Sequence, residues 1–141
     1  MPQGQTPGNI SSIRTTPRRG IDMPMNATDM RRLSLELPEA EEKSHFDKAD
    51  FRVRNRIFAT LPDADTAVVK LTHEQQEMLT GAEPAIFTPV PGGWGRQGWT
   101  RVTLAAADEL TLKSALLTAW RNVAPVSLRK AFDATGTGTT A

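Results

Sequence analysis

Between Ser44 and Leu71 the chain alternates apolar and polar residues in four runs, Ser44–Phe46, Asp50–Arg54, Arg56–Leu61 and Thr66–Leu71. A period of two sends successive side chains to opposite faces of a strand. The spacers Asp47-Lys48, Arg54-Asn55 and Pro62–Asp65 are too short for anything but antiparallel returns. The runs therefore form an antiparallel meander, and Asn55 suits the positive φ that a two-residue hairpin loop requires.

Helical periodicity surrounds this core. Thr28 or Asp29 is expected to cap a first helix whose buried stripe is Met30, Leu33 and Leu37, until Pro38 forbids continuation. Thr72-His-Glu-Gln75 has the form of a capping box opening a two-turn helix, with Met78 and Leu79 as apolar contacts and Gly81 as a left-handed C-cap. Ala85–Thr88 is a short strand and Pro91–Gly95 a glycine-rich loop. Gly98–Leu104 alternates, with Trp99, Arg101 and Thr103 on one face and Thr100, Val102 and Leu104 on the other. Asp108 caps the longest helix, with Leu112, Leu116, Ala119, Trp120 and Val123 at helical spacing until Pro125, and Val126–Phe132 adds one final turn. The pattern specifies an α+β fold: an antiparallel sheet, a meander in its larger part, backed by helices in one domain over residues 27–132.

The ends differ in kind. Residues 1–26 are rich in Pro, Gly, Ser and Thr, broken by Pro2, Pro7, Pro17 and Pro24, and are expected to form a disordered basic arm. Met23, Met25 and Met30 stand where the pattern becomes regular, so part of this arm is also readable as an over-extended start. Residues 133–141, small and uncharged after Asp133, are expected to be a flexible tail. The net charge is +1. The arm sets Arg14, Arg18 and Arg19 against Asp22, so the remainder is slightly acidic. Gripping nucleic acid by counterion release would then need a local basic patch. With no cysteine, disulfides, thiolate chemistry and cysteine-held metals are excluded. No apolar run approaches the ~20 residues that span a bilayer, and the N-terminus lacks a hydrophobic leader core. A soluble, cytoplasmic protein without membrane contact is the expectation.

Six elements in order, Leu37-Pro38, Phe51-Arg-Val53, Arg56-Ile-Phe-Ala59, Trp94-Gly95, Gly98-Trp99 and Ala119-Trp120, resemble the MmcQ/YjbR family over roughly residues 28–124. Arg56 stands where that family commonly has lysine, and Asn55 where it is expected to have glycine; both replacements keep the charge or the turn geometry. The resemblance implies an antiparallel sheet backed by helices and a DNA-binding role.

The candidate site residues are cationic and aromatic. Arg52, Arg54 and Arg56, with Lys70 and Arg101 on neighbouring strands, can form a basic strip that reaches phosphates, or can simply solvate the sheet and blunt its edges. Parity is lost at the Arg54-Asn55 turn, so alternation does not put Arg52 and Arg56 on one face. Trp94, among Gly92, Gly93 and Gly95 and followed by Arg96 and Gln97, is either a stacking platform beside a cation or a lid folded onto the core. Trp99 and Trp120 are read as core. The glycine run lacks the lysine and hydroxyl residue of a phosphate-binding loop.

For catalysis only His45 and His73 are available, and Ser44 and His45, adjacent in a strand, point to opposite faces. Asp63, Asp65, Glu39, Glu41 and Glu42 lie in turn or loop sequence where acidic residues are usual. No catalytic centre, cofactor or metal is therefore expected. The function expected is a non-enzymatic binding module on the phosphate backbone of DNA. The alternative is a protein-interaction adaptor or chaperone-like domain with no nucleic-acid role, using an apolar groove beside the last helix.

Overall fold

The computed structural model describes residues 24–45 and 48–140; the expectations for residues 1–23, and for Phe46 and Asp47, lie outside them. The chain forms α1 (Ala27–Leu35), β1 (Ala40–His45), β2 (Lys48–Val53), β3 (Arg56–Leu61), β4 (Thr66–Lys70), α2 (His73–Ala82), β5 (Phe87–Pro89), α3 (Gly93–Arg96), β6 (Trp99–Thr103), α4 (Glu109–Val123) and α5 (Val126–Thr140). The six strands make one sheet in the order β1-β2-β3-β4-β6-β5, with every neighbouring pair antiparallel. The meander therefore ends at β4, and α2 carries the chain over to a final hairpin-like pair.

Alternation gives the sheet two unlike faces. Ala49, Phe51, Val53, Ala59, Val69 and Val102 are buried on one face, together with Leu112, Leu116 and Ala119 of α4 and Met30 and Leu33 of α1. Helix α4 packs on β3 and β4 and against α1, so these two helices cover this face. The strands are short, and the buried stripe of α4 supplies the second layer that a single sheet needs to close a core. Between Phe51 and Arg52 the register slips: Phe51 pairs with Ala59 and Arg52 with Ile57, leaving Phe58 as an extra residue. Such a bulge reverses the facing of the strand on either side of it, so Phe58 and Ala59 are both buried while Ile57 turns to the uncovered face.

Turns and caps agree with local chemistry. Arg54 and Asn55 take φ of 50° and 68°, the left-handed pair that the tight β2–β3 hairpin demands. Thr72 and Gln75 form a reciprocal capping box on α2, and the Asp108 carboxylate accepts from Thr111 N at 2.8 Å to start α4. Trp120 is fully buried, and its Nε1–H donates to the Pro38 carbonyl at 3.0 Å, tying α4 to the loop after α1.

Several expectations are corrected. The cap of α1 is Asn26, in a capping box with Asp29, and not Thr28 or Asp29 itself. Met25, placed with the arm by composition, is a core residue at 6% exposure. Strand β1 begins at Ala40, earlier than expected, because its Ala-Glu-Glu-Lys-Ser-His sequence carries no apolar alternation to announce it. Gly81 lies inside α2 without a positive φ, and Met78 is 63% exposed. After Pro125 the backbone is helical from Val126 to Thr140, where one final turn over Val126–Phe132 is expected. Phe132 packs on Trp120 with ring centroids 5.3 Å apart, and Asp133 forms a two-point ion pair with Arg121, so tertiary contacts hold the start of a helix that propensity alone would not. Among the described residues no helix is long and apolar enough to cross a membrane.

Two stability measurements test this packing. Trp120→Ala removes the largest buried side chain and is expected to cost about 3–5 kcal/mol in urea unfolding. The Thr111 backbone N–H holds the Asp108 carboxyl below its usual range. A depressed folded value means that this contribution is complete above the unfolded value of about 4 and fades as pH falls through the folded one. Asp108→Asn, which still caps α4, is expected to flatten the acid limb of the stability curve, and an unchanged limb refutes this assignment.

Candidate functional site

The uncovered face of the sheet is where the sequence's unusual residues meet. By register it carries Lys43, Lys48, Arg52, Lys70 and Arg101 against Glu41 and Asp50, an excess of positive charge on a chain that is nearly neutral. Within it lies a concavity of about 380 Å³ whose floor is Ile57, Thr60, Val68 and Trp99 and whose wall is Val90 and Trp94. Arg101 is the charged group among its lining residues.

The two tryptophans are held there by glycine. Gly98 has φ +102°, and a Cβ on it would stand 1.8 Å from the Leu71 carbonyl oxygen. A Cβ on Gly95 would stand 1.9 Å from the carbonyl oxygen of Val90. These two close approaches let the Trp94–Trp99 segment curl against the ends of β4 and β5, where Leu71 N donates to Gly98 O and Val90 N to Trp99 O, each at 3.0 Å. Gln76 of α2, only 5% exposed, seals the loop from beneath: its Nε2 lies 3.0 Å from Gly95 O, 3.2 Å from Trp99 O and 3.1 Å from Thr100 Oγ1. Sequence reasoning missed Gln76, because nothing in Glu74-Gln-Gln-Glu77 marks one amide as the buried one.

Trp94 is 62% exposed and meets Trp99 edge to face, centroids 6.1 Å apart. It is thus a presented ring and not a lid on the core. Trp99, read as core, is corrected: it is half-buried on the open face. Its alternation with Arg101 and Thr103 already carried that signal. Lys70 Nζ sits 5.3 Å from the Trp99 ring centroid and donates to Gln97 O at 2.6 Å, a cation–π arrangement anchored by backbone. Arg96 closes α3, two residues beyond Trp94, with no carboxylate partner among the described residues.

The strand arginines do not join in one strip. Arg52 lies on the open face, but its Nε and Nη2 are bound to the Asp50 carboxylate at 2.9 and 3.2 Å and its Nη1 to Asn55. Arg54, at the hairpin tip, is paired with Glu39 and holds that carboxyl below its usual range. Arg56 pairs in register with Val53 and lines a pocket with Asn122 and Val123 of α4, on the helix-covered side. Of the expected set, Lys70, Trp94 and Arg101 converge, with Arg96 close by on α3.

Of the remaining candidates, His73, Asp63 and Glu42 have ordinary partners. His73 is exposed and 3.3 Å from Glu77 one turn on; Asp63 accepts from Asp65 N; Glu42 pairs with Arg31. An apolar groove of about 430 Å³ runs between α2 and α4, with Met78 and Leu110 exposed at its edge.

The YjbR family model matches residues 35–122, well over half of the chain, and the chain belongs to that family. Among solved structures it is similar to the crystal structure of Deinococcus radiodurans protein DR2400, from the DUF419 domain family, at 24% identity and a TM-score of 0.63, covering 76% of this chain and 87% of that one. At that identity the likeness speaks for the fold. Among curated proteins no sequence matches.

Gly95→Ala and Gly98→Ala are each expected to cost about 3 kcal/mol or more, because the intruded atoms are backbone and cannot swing aside. Circular dichroism in the aromatic region, which reports the Trp94–Trp99 pair, should lose intensity in both. A native signal and native stability in either variant contradict the packing described.

Proposed function

We propose that this YjbR-family chain is a non-enzymatic module that binds single-stranded nucleic acid on the open face of its sheet. The observation that carries the proposal is the exposed Trp94 ring set against Trp99 in an apolar concavity, with Lys70 and Arg101 beside it. Bases are flat, apolar on their faces and strung on phosphates about one side-chain length away. Aromatic stacking and flanking cations are the combination that holds them without reading sequence. Duplex DNA gripped along a continuous arginine strip is less well supported, since Arg52 and Arg54 are occupied by carboxylates and Arg56 faces the other side.

Fluorescence anisotropy of labelled oligothymidylate at two salt concentrations tests this. Trp94→Ala is expected to weaken binding about tenfold or more, the loss of one stacked base. Lys70→Ala and Arg101→Ala should each lower affinity and shallow the salt dependence by roughly one counterion. Arg54→Ala should change nothing. Full affinity in Trp94→Ala, or no binding at low salt, overturns the proposal. The α2–α4 groove, with its exposed Met78 and Leu110, then becomes the surface to test for a protein partner.

A further inference from the structure

Away from the open face, the tip of the β2–β3 hairpin meets the chain where it passes from α4 into α5. A pocket of about 330 Å³ lies there, between Arg54 and Arg56 on one side and Asn122, Pro125, Val126 and Arg129 on the other. Its lining residues include three arginines and no carboxylate. Arg54 has its charge answered by Glu39. Arg56 has no carboxylate within ion-pair distance among the described residues. Arg129 feels Asp133, but that carboxylate is already bound by two nitrogens of Arg121.

Two further features bear on what belongs in the pocket. The Nε of Arg129 is buried and has no hydrogen-bond partner, alone in this among the described side-chain nitrogens and oxygens. A buried guanidinium N–H left unmatched costs free energy, and natural structures rarely keep one without an occupant to accept it. Helix α5 also starts here: its first internal bond is Arg129 N to Pro125 O, so the N–H groups ahead of Arg129 have no partner within the helix. Pro125 has no side-chain acceptor to cap them, and the positive end of a fifteen-residue helix therefore borders the same pocket.

We propose that this pocket is an oxyanion site for a phosphoryl group, taken up by Arg56 and Arg129 with Arg54 at its rim. Guanidinium forks match the tetrahedral oxygens of phosphate. The site is independent of the stacking face and on the opposite side of the sheet.

Titration of the full chain with inorganic phosphate at constant ionic strength, monitored through the arginine Nε–Hε resonances, is the test. Saturable shifts of Arg129 and Arg56, with Arg52 and Arg31 unmoved, are expected. Arg129→Gln and Arg56→Gln should each weaken the response about tenfold or more, while Arg56→Lys keeps much of it. Trp94→Ala should leave it unchanged, which separates this site from the open face. A tighter response to a nucleoside monophosphate assigns an organic phosphate, and an equal one the free ion. No saturable shift, an equal shift with chloride, or full retention in Arg56→Gln overturns the proposal.

Discussion

At the junction of β4 and β6, Gly98 approaches the Leu71 carbonyl so closely that a single added carbon would stand 1.8 Å from its oxygen. The position of β6 between β4 and β5, and of Trp99 at its start, depends on that approach. Leu71 N and Gly98 O then join, Gly95 folds onto Val90, and Gln76 reaches up from α2 to bond Gly95, Trp99 and Thr100. A glycine at each contact and a buried amide beneath turn a loop, which entropy would leave loose, into a fixed mount for two indoles. The Trp-Gly-x-x-Gly-Trp sequence is thus an architectural device first and a binding device second.

The sheet around that mount is one-sided. Helices α1 and α4 cover the face that buries Phe51, Val69 and Val102, and Trp120 ties α4 back to Pro38. The opposite face keeps its lysines, arginines and half-buried Ile57, Val68 and Trp99 open to solvent. Charge is arranged the same way. Arg52, Arg54 and Arg121 are neutralised by neighbours that hold the fold together, while Lys70, Arg96, Arg101 and Arg56 have no carboxylate partner among the described residues. Exposed ion pairs contribute little stability, so the paired arginines are better understood as fixing the hairpin and the α4–α5 corner in place.

Most of the fold was legible because its signals are local. Alternation in Phe51–Val53 and Thr66–Lys70, the Arg54-Asn55 turn, the Thr72 capping box and the α4 stripe after Asp108 each arise from a short stretch of chain. Strand β1 was partly missed because an edge strand paired on one side can be polar throughout, and α5 because its hold on Trp120 and Arg121 is a packing of one helix on the preceding one, which no local pattern announces. The site was legible in its residue types and not in its grouping. Whether Arg52 and Arg56 share a face depends on one bulge at Phe58, and no composition or period reveals a bulge. Trp99 reads as core because it lies in a strand, although the alternation of that same strand places it with Arg101. Gln76 gives no sign in sequence, because its importance lies in three acceptors that only the folded loop brings together.

The most direct measurement of binding on the open face uses the chain's three tryptophans as internal reporters, two on that face and one in the core. Their indole N–H resonances can be tracked as unlabelled oligothymidylate is added to the full chain. Saturable shifts of Trp94 and Trp99 with Trp120 unmoved are the predicted result. Shifts at Trp120 alone, or at none of the three, would contradict a stacking site on this face.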